Sequence, residues 1–360
     1  MNATRQLHEL GQSLWLDNIT RDILDDGSLA RHIEEYSLTG LTSNPTIFDK
    51  AIEGTSAYDE AIRTKTAQGK SNEELFVELA LDDLRRAAKL FHPTFKATDG
   101  LDGWVSMEVS PLIASDTAAT IDAAAAIHHQ ADCENLFVKI PGTPEGVPAI
   151  EESIFAGVPV NVTLLFSAEQ YLAVAEAYMR GIERRIEAGL SPKVPSVASV
   201  FISRWDVAVK DKVPAELKNK LGIAIAGRTY KAYVDLLASP RWRKLADAGA
   251  VVQRLLWAST GTKDPAAPDT LYVTELAAPN TINTMPGKTI EALADHGQLH
   301  GPMATDGAAA EATLAQFAKA GVDVDALATK LQVDGAAAFV KSWGQLMEHI
   351  TEQGKALATP

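Results

Sequence analysis

The chain has 360 residues, of which 46% are hydrophobic and 22% are charged, and this composition is typical of a soluble globular protein. Its net charge of −14 argues against nucleic acid or an anionic membrane as a partner, because both require a basic surface. The single cysteine excludes an internal disulfide, no stretch is apolar enough to span a bilayer, and the first residues lack a signal-peptide pattern, so we expect a cytoplasmic protein.

Short apolar runs bounded by loop residues recur along the chain and predict β-strands. Seven of these runs are LWLD (14–17), LTGLTSNP (38–45), GWVSMEVSP (103–111), NLFVKIP (135–141), VPVNVTLLFS (158–167), SVASVFISRW (196–205) and QRLLWAST (253–260). For the eighth strand, TINTMP (281–286) is favoured over LYVTEL (271–276), because it follows the turn-like APN and ends at a proline.

Helical patterns separate these runs. Residues 72–91, 167–189 and 221–239 repeat apolar residues at every third or fourth position, and Ser167 and Gly189 are suited to begin and end the second helix. Strands that alternate with helices form parallel sheets with right-handed crossovers. About eight such units predict an α/β fold, a (β/α)8 TIM barrel with extra N- and C-terminal helices.

A doubly wound open sheet is the alternative fold. The chain has no G-x-G-x-x-G after an early strand and no G-x-x-x-x-G-K-[ST], so nucleotide-binding folds are less favoured. No low-complexity linker divides the sequence. We therefore predict a single barrel domain over residues 1–360, with about 306–357 as helices appended after the barrel.

The alternation of side chains along each strand selects a candidate site. Residues i and i+2 of a strand face the same side, and most of these runs have one apolar face and one face with isolated polar residues. An ordinary barrel interior is filled by Val, Ile and Leu, whereas polar groups that converge in a cavity indicate a binding site. The residues assigned to this inner face are Asp17, Asn44, Glu108, Lys139, Asn161 and Thr163. Thr42 shares a strand face with Asn44, and Ser199 shares one with Phe201.

A lysine inside a barrel, such as Lys139, has a specific chemical use. Desolvation disfavours an ammonium group, and a neutral amine attacks a carbonyl to form a Schiff base. The iminium accepts electrons, so a neighbouring C–C bond breaks without a metal. A carboxylate must then take a proton from the adjacent hydroxyl, and Asp17 is one of several candidates for this task. Glu108 with Thr163 is suited to hold a water that moves protons.

The other end of the substrate is predicted to be anionic. Arg204 is one residue out of phase with Ser199, Phe201 and Ser203, so we place it in the loop after the sixth strand, at the C-terminal mouth of a barrel. The residues Thr260, Gly261, Thr262 and Lys263 follow the seventh strand. Loops at this end of barrels often bind phosphate through backbone N–H groups and a positive charge.

Taken singly, each of these residues also has an ordinary structural explanation. A strand lysine is often at an exposed edge, Glu108 is suited to a structural ion pair, and asparagine often satisfies backbone groups.

A glycosidase with Asp17 and Glu108 as its two carboxylates is a second hypothesis, although it has no use for Lys139. A barrel without catalytic activity is a third. Neither a metal site nor a cofactor is predicted, because the chain has no Cys pair and no H-E-x-x-H.

Nearly the whole chain, from about Leu10 to the C-terminal helices, resembles the transaldolases, especially the longer-chain actinobacterial and cyanobacterial ones. The segments that carry the resemblance are GLTSNPTIF (40–48), VSMEVSP (105–111), LFVKIPGTPEG (136–146), NVTLLFS (161–167), SVASVFISRWD (196–206), RLLWASTGTKDP (254–265) and NTMP (283–286). The resemblance implies a Schiff-base barrel of the pentose phosphate pathway. It implies transfer of a dihydroxyacetone unit from sedoheptulose 7-phosphate or fructose 6-phosphate to glyceraldehyde 3-phosphate or erythrose 4-phosphate.

The resemblance also implies a role for each catalytic residue. Lys139 matches the Schiff-base lysine, and Asp17 matches the acid/base that deprotonates the C4 hydroxyl. Glu108 and Thr163 match the pair that holds the catalytic water.

The substrate-binding residues follow in the same way. Asn44 and Asn161 match asparagines that bind hydroxyl groups, and Ser199 and Arg204 match phosphate-binding positions. In better-known branches of the family a second phosphate-binding arginine follows strand seven. Here Lys263 takes its place in this interpretation, and Thr42 and Phe201 complete the predicted substrate-binding set.

The nearest alternative function is a fructose 6-phosphate aldolase, a lyase on the same scaffold. In the lyase-like relatives a tyrosine that can help protonate the enamine occupies the position of Phe201, so the phenylalanine favours a transferase. The predicted partners are small sugar phosphates, with no nucleic acid and no membrane. A homodimer and a monomer both stay open.

Overall fold

A computed structural model describes residues 2–358. Its eight strands are Ser13–Asp17 (β1), Leu38–Thr42 (β2), Val105–Glu108 (β3), Leu136–Pro141 (β4), Val160–Leu165 (β5), Ser196–Phe201 (β6), Gln253–Ala258 (β7) and Thr281–Met285 (β8). They pair in parallel in the order β2-β1-β8-β7-β6-β5-β4-β3. The predicted eighth strand is therefore confirmed, and the rival segment contains a short helix instead.

Backbone hydrogen bonds between β2 and the two residues that precede β3 close the sheet into a barrel. The Leu41 N–H donates to the Trp104 carbonyl at 2.9 Å, and the Gly103 N–H donates to the Thr39 carbonyl at 2.7 Å. Gly40 permits this approach, since a Cβ atom there would lie 2.7 Å from the Trp104 carbonyl oxygen and from the Trp15 ring. The predicted (β/α)8 barrel is confirmed.

Helices flank the strands and extend beyond both ends of the barrel. The α-helices of the described residues are Ala3–Leu10 (α1), Arg21–Asp25 (α2), Ser28–Tyr36 (α3), Pro45–Glu53 (α4), Asp59–Ala67 (α5), Asn72–Ala97 (α6), Thr117–Ala131 (α7), Gly146–Ala156 (α8), Ala168–Glu187 (α9), Ser203–Val209 (α10), Leu221–Ala238 (α11), Pro240–Asp247 (α12), Leu271–Thr274 (α13), Gly287–His296 (α14), Ala308–Lys319 (α15) and Val324–Ala358 (α16). Between residues 2 and 358, none of them is long and apolar enough to cross a membrane.

The three helices predicted from periodicity correspond to α6, α9 and α11. Ser167 caps α9 as expected, because its hydroxyl accepts a hydrogen bond from the Gln170 N–H at 3.2 Å. Gly189 follows the last turn with a φ of 70°, in the left-handed region that glycine adopts without strain. α6 runs past its predicted end at residue 91 to Ala97 and contains Pro93.

The barrel interior is filled from the N-terminal ends of its strands. Arg254 pairs with Asp102 at 3.2 Å and donates to the Ser13 hydroxyl at 2.6 Å, so this buried charge is compensated. Above it lies an aromatic layer, in which the Trp104 and Phe137 rings are 4.1 Å apart. At the C-terminal ends of the strands the interior opens into a cavity.

Helix α16 lies across this C-terminal mouth. The Gln332 Nε2 donates to the carbonyls of Gly142 and Leu164, each at 3.0 Å, and the Thr46 hydroxyl donates to the Ser342 hydroxyl at 2.8 Å. The predicted appended region corresponds to α15 and α16. That the chain is a single domain stays a prediction.

Candidate active site

A cavity of about 360 Å³ opens at the C-terminal ends of the strands. Nine of the eleven predicted site residues line it, and the other two, Glu108 and Asn161, lie directly beside lining residues. The nine are Asp17, Thr42, Asn44, Lys139, Thr163, Ser199, Phe201, Arg204 and Lys263. The structure thus brings together the residues that alternation along the strands assigned to one face.

Lys139 is only 6% exposed and lies on β4, between β3 and β5. In the barrel register it pairs with Glu108 of β3 and with Asn161 of β5. Its Nζ donates to the Ser43 carbonyl at 2.6 Å and lies 3.5 Å from Glu108 Oε2. These contacts hold the amine in one place, next to a carboxylate.

Asp17 ends β1 and is fixed by a chain of two threonines. The Thr42 hydroxyl donates to Asp17 Oδ1 at 2.8 Å and lies 2.7 Å from the Thr284 hydroxyl. Since a hydroxyl has one proton, Thr284 is the donor to Thr42. Desolvation raises the pKa of Asp17, and the positive charge of Lys139 partly opposes that rise. The carboxylate therefore holds a proton more readily than a surface aspartate.

Glu108 is a second buried carboxyl group. Desolvation raises its pKa, while the Lys139 charge acts in the opposite direction. The nearby Thr163 hydroxyl is buried and lies close enough to Glu108 to lower the pKa of that carboxyl group, although no well-formed hydrogen bond joins it to protein atoms of residues 2–358. Leu164, the next residue, has a φ of 59°, and the β5–β6 register shifts between Val162 and Leu165. This irregularity ends the regular pairing of β5 just where Thr163 reaches the cavity.

The two predicted asparagines make different contacts. Asn161 is fully buried, accepts from the Ser199 hydroxyl at 2.7 Å and donates to the Ser106 hydroxyl at 3.3 Å. Asn44 caps α4, because its Oδ1 accepts from the Ile47 N–H at 3.1 Å. The NH2 group of Asn44 takes no part in the cap.

Two cationic side chains lie at one side of the cavity mouth. Arg204 is in the first turn of α10 and half-buried, and it makes no ion pair with any carboxylate of residues 2–358. Its guanidinium carbon lies 5.1 Å from the centre of the Phe201 ring. Lys263 is exposed, and its Nζ lies over Gly261, 3.9 Å from the position that a Cβ atom would occupy there. This side of the cavity is suited to an anion.

The sequence interpretation missed several lining residues. Thr284 lines the cavity from the face of β8 that it shares with the apolar Ile282. Alternation along β8 would have favoured the opposite face, with Thr281 and Asn283, so that rule alone does not find Thr284. Lys50 of α4 and Phe339 of α16 also line the cavity. No local pattern marks Phe339, because its position depends on where a distant helix packs. Within residues 2–358, no three His, Cys, Asp or Glu side chains are grouped to hold a metal ion.

Comparisons with known proteins show the family of the chain. The family model described as Transaldolase/Fructose-6-phosphate aldolase matches residues 14–350. A transaldolase of Acidothermus cellulolyticus is 45% identical over 96% of this chain and 95% of its own, and one of Thermobifida fusca is 44% identical over 97% of each. Transaldolase 2 of Nostoc punctiforme is 40% identical over 99% of each chain. The chain therefore belongs to the transaldolase/fructose-6-phosphate aldolase family.

Proposed function

We propose that the protein is a transaldolase that transfers a dihydroxyacetone unit between sugar phosphates. The donors are sedoheptulose 7-phosphate or fructose 6-phosphate, and the acceptors are glyceraldehyde 3-phosphate or erythrose 4-phosphate, as in the pentose phosphate pathway of the cytoplasm. Relatives named transaldolase, at 40% to 45% identity over nearly the full length, support this activity. The observation that carries the mechanism is the buried Lys139 amine, which shares a cavity with Asp17 and lies 3.5 Å from Glu108.

Schiff-base formation is the first step. The Lys139 amine attacks the C2 carbonyl of the donor, a C–N bond forms, and the carbonyl oxygen leaves as water. This departure needs a proton, and the raised pKa of Glu108 favours its protonated form. The Thr163 hydroxyl lies beside Glu108 without a well-formed hydrogen bond to it, so it is suited to bind the water through which this proton moves.

Cleavage and transfer depend on Asp17. Its carboxylate takes the proton of the C4 hydroxyl as the C3–C4 bond breaks, and the electron pair of that bond enters the iminium. The aldehyde fragment leaves, and a three-carbon enamine stays on Lys139. The acceptor aldehyde then adds to this carbon, Asp17 returns the proton to the new alkoxide, and water releases the product from the amine.

Borohydride trapping tests this function. The protein is incubated with fructose 6-phosphate and borohydride, digested, and mapped by mass spectrometry. We expect a reduced three-carbon adduct on Lys139 and loss of that adduct when erythrose 4-phosphate is added before the reductant, because the acceptor removes the enamine. A folded protein without any adduct would contradict the Schiff-base mechanism, and an adduct that the acceptor does not remove would contradict the transfer step.

Phe201 is proposed to favour transfer over simple cleavage. Its ring lines the cavity and has no proton to give to the enamine, so the three-carbon unit waits for an acceptor. We expect Phe201→Tyr to increase the cleavage of fructose 6-phosphate without acceptor by about 10²-fold, the lower end of general acid catalysis. The rate of glyceraldehyde 3-phosphate release measures this. An unchanged rate would show that the missing hydroxyl does not control the outcome.

Lys263 is proposed to bind the substrate phosphate together with Arg204. Lysine supplies a point charge without the paired donors of arginine, so its contribution is mainly electrostatic. We expect Lys263→Ala to raise KM for fructose 6-phosphate by about tenfold, a difference of about 1.4 kcal/mol, and to leave the use of free dihydroxyacetone nearly unchanged. Steady-state kinetics with both donors measure this. Equal effects on the two donors would contradict the role.

A further inference from the structure

One face of α16 forms a wall of the active site. Gln332, Gly335 and Phe339 are three and four residues apart, so they lie on the same side of the helix. All three lie at the barrel mouth. Gln332 donates to two backbone carbonyls there, Gly335 lies beside the Arg204 side chain, and Phe339 lines the cavity. The C-terminal helix therefore does more than cover an outer surface.

Gln332 fixes the position of this face. Both N–H bonds of its carboxamide are used, one to the carbonyl of Gly142 after β4 and one to the carbonyl of Leu164 in β5. Leu164 lies at the irregular end of β5, and Gln332 donates a hydrogen bond to its buried carbonyl group, which would otherwise need another donor. Gln332 is only 8% exposed, so solvent competes little with these bonds.

Gly335 leaves room on α16 for the side chains of Arg204 and Leu164. A Cβ atom at this position would lie 3.1 Å from Arg204 Nη1 and 2.9 Å from Leu164 Cδ2. Glycine is disfavoured inside helices, so its presence in the middle of α16 indicates a need for space. The space is occupied by a methyl group of Leu164 and by the Arg204 guanidinium group.

The Phe339 ring also lies near the Arg204 guanidinium group. The Arg204 guanidinium carbon lies 5.1 Å from the centre of the Phe201 ring and 5.9 Å from the centre of the Phe339 ring. Aromatic rings attract the cation without competing for its N–H donors as a carboxylate would. No carboxylate of the described residues pairs with Arg204, so its donors stay free for a ligand anion.

We propose that Gly335 and Phe339 are positioning residues that set the affinity of this site for the phosphate end of the substrate. They act through Arg204, which the glycine admits to the cavity wall and the two phenylalanine rings orient. The inference rests on the proposed function for the identity of the sugar, but the anion-binding role requires only the observed contacts. Specificity for phosphorylated donors would then depend on a helix that supplies no catalytic group.

The test combines phosphate binding and kinetics in Gly335→Ala and Phe339→Leu. Val333→Ala and Val340→Ala are matched controls on α16, because these valines are 64% and 40% exposed. Phe339→Tyr keeps the ring and serves as the conservative variant. Inorganic phosphate is titrated calorimetrically into each full-length protein. KM and kcat are then measured with fructose 6-phosphate and with unphosphorylated fructose, and melting temperatures report on folding.

We expect Gly335→Ala and Phe339→Leu to weaken phosphate binding by about fivefold or more, the size of one cation–π contact, and to raise KM for fructose 6-phosphate by a similar factor. The ratio kcat/KM for fructose should stay within about twofold of its original value, as should every constant of the two valine variants. Phe339→Tyr should bind phosphate like the parent protein. Gly335→Ala is expected to fold, since alanine favours helix formation.

Two results would overturn the inference. One is unchanged phosphate affinity in both Gly335→Ala and Phe339→Leu, and the other is an equal loss with phosphorylated and unphosphorylated donors, which would mark a general structural defect. Failure of the proposed function would be seen separately, as absence of a borohydride adduct on Lys139 in the parent protein. Weaker phosphate binding in the variants of such a protein would still support the positioning role.

Discussion

Replacing Lys139 by methionine is expected to lower the rate of dihydroxyacetone transfer by about 10⁴-fold or more, the range seen when a covalent nucleophile is removed. Methionine fills a similar volume but has no amine, so neither the iminium nor the enamine forms. The coupled assay with fructose 6-phosphate and erythrose 4-phosphate measures the rate, and borohydride trapping should yield no adduct. Lys89→Met, a change at an exposed residue of α6, is the control and should retain both activity and adduct.

The melting temperature separates a chemical effect from an unfolded protein in this experiment. Lys139 lies 3.5 Å from Glu108, so its removal leaves the carboxyl group without its nearest cation. The raised pKa of Glu108 should then rise further, and the group becomes neutral rather than staying as an unpaired buried charge. Substantial transfer by a folded Lys139→Met protein would contradict the assignment of the nucleophile.

Asp17→Asn is expected to lower the transfer rate by about 10³-fold, within the usual range for loss of a general base. The adduct on Lys139 should still form, because an amide at position 17 does not prevent the amine from attacking the donor. Single-turnover cleavage of fructose 6-phosphate measures the effect, and Asp247→Asn, at an exposed residue of α12, is the control. An Asp17→Asn protein that cleaves the donor at the original rate would exclude Asp17 as the base.

The pH dependence of the parent protein gives a second test of Asp17. Burial raises its pKa above the usual 3.8, and only the carboxylate accepts a proton. The ratio kcat/KM should therefore fall as the pH decreases through this raised value, at a higher pH than for an ordinary aspartate.

The raised pKa of Asp17 also affects stability. The folded state binds the Asp17 proton more tightly than the unfolded state, so the contribution of Asp17 to the free energy of unfolding decreases as the pH rises from its unfolded pKa through its raised, folded pKa. Asp17→Asn should consequently not lower the melting temperature at neutral pH.

Alternation along the strands identified most of the site because it is a local property. Asp17, Lys139 and Thr163 each share a strand face with a neighbour two positions away, and closure of the barrel directs that face inward. The family resemblance, the barrel and the choice of the eighth strand are confirmed. The roles of the individual residues stay predictions.

The sequence did not predict the individual contacts between side chains of different elements. Arg204 lies in the first turn of α10, although periodicity placed it in a loop after the sixth strand. The contacts of Asn161 with Ser199 and Ser106 join three strands, so no single strand pattern could predict them. The irregular end of β5 at Leu164 is likewise invisible in an apolar run.

The sequence by itself determined the strands, the helices, the face on which polar residues lie and the family, because each depends on short-range spacing or on motifs. Only the tertiary structure decided that α16 crosses the mouth of the barrel, with Gly335 and Phe339 against Arg204. More than 130 positions separate Arg204 from Phe339, as their residue numbers show. The physical reason is that contact between such distant segments depends on how whole elements pack, which the periodicity of neither segment encodes.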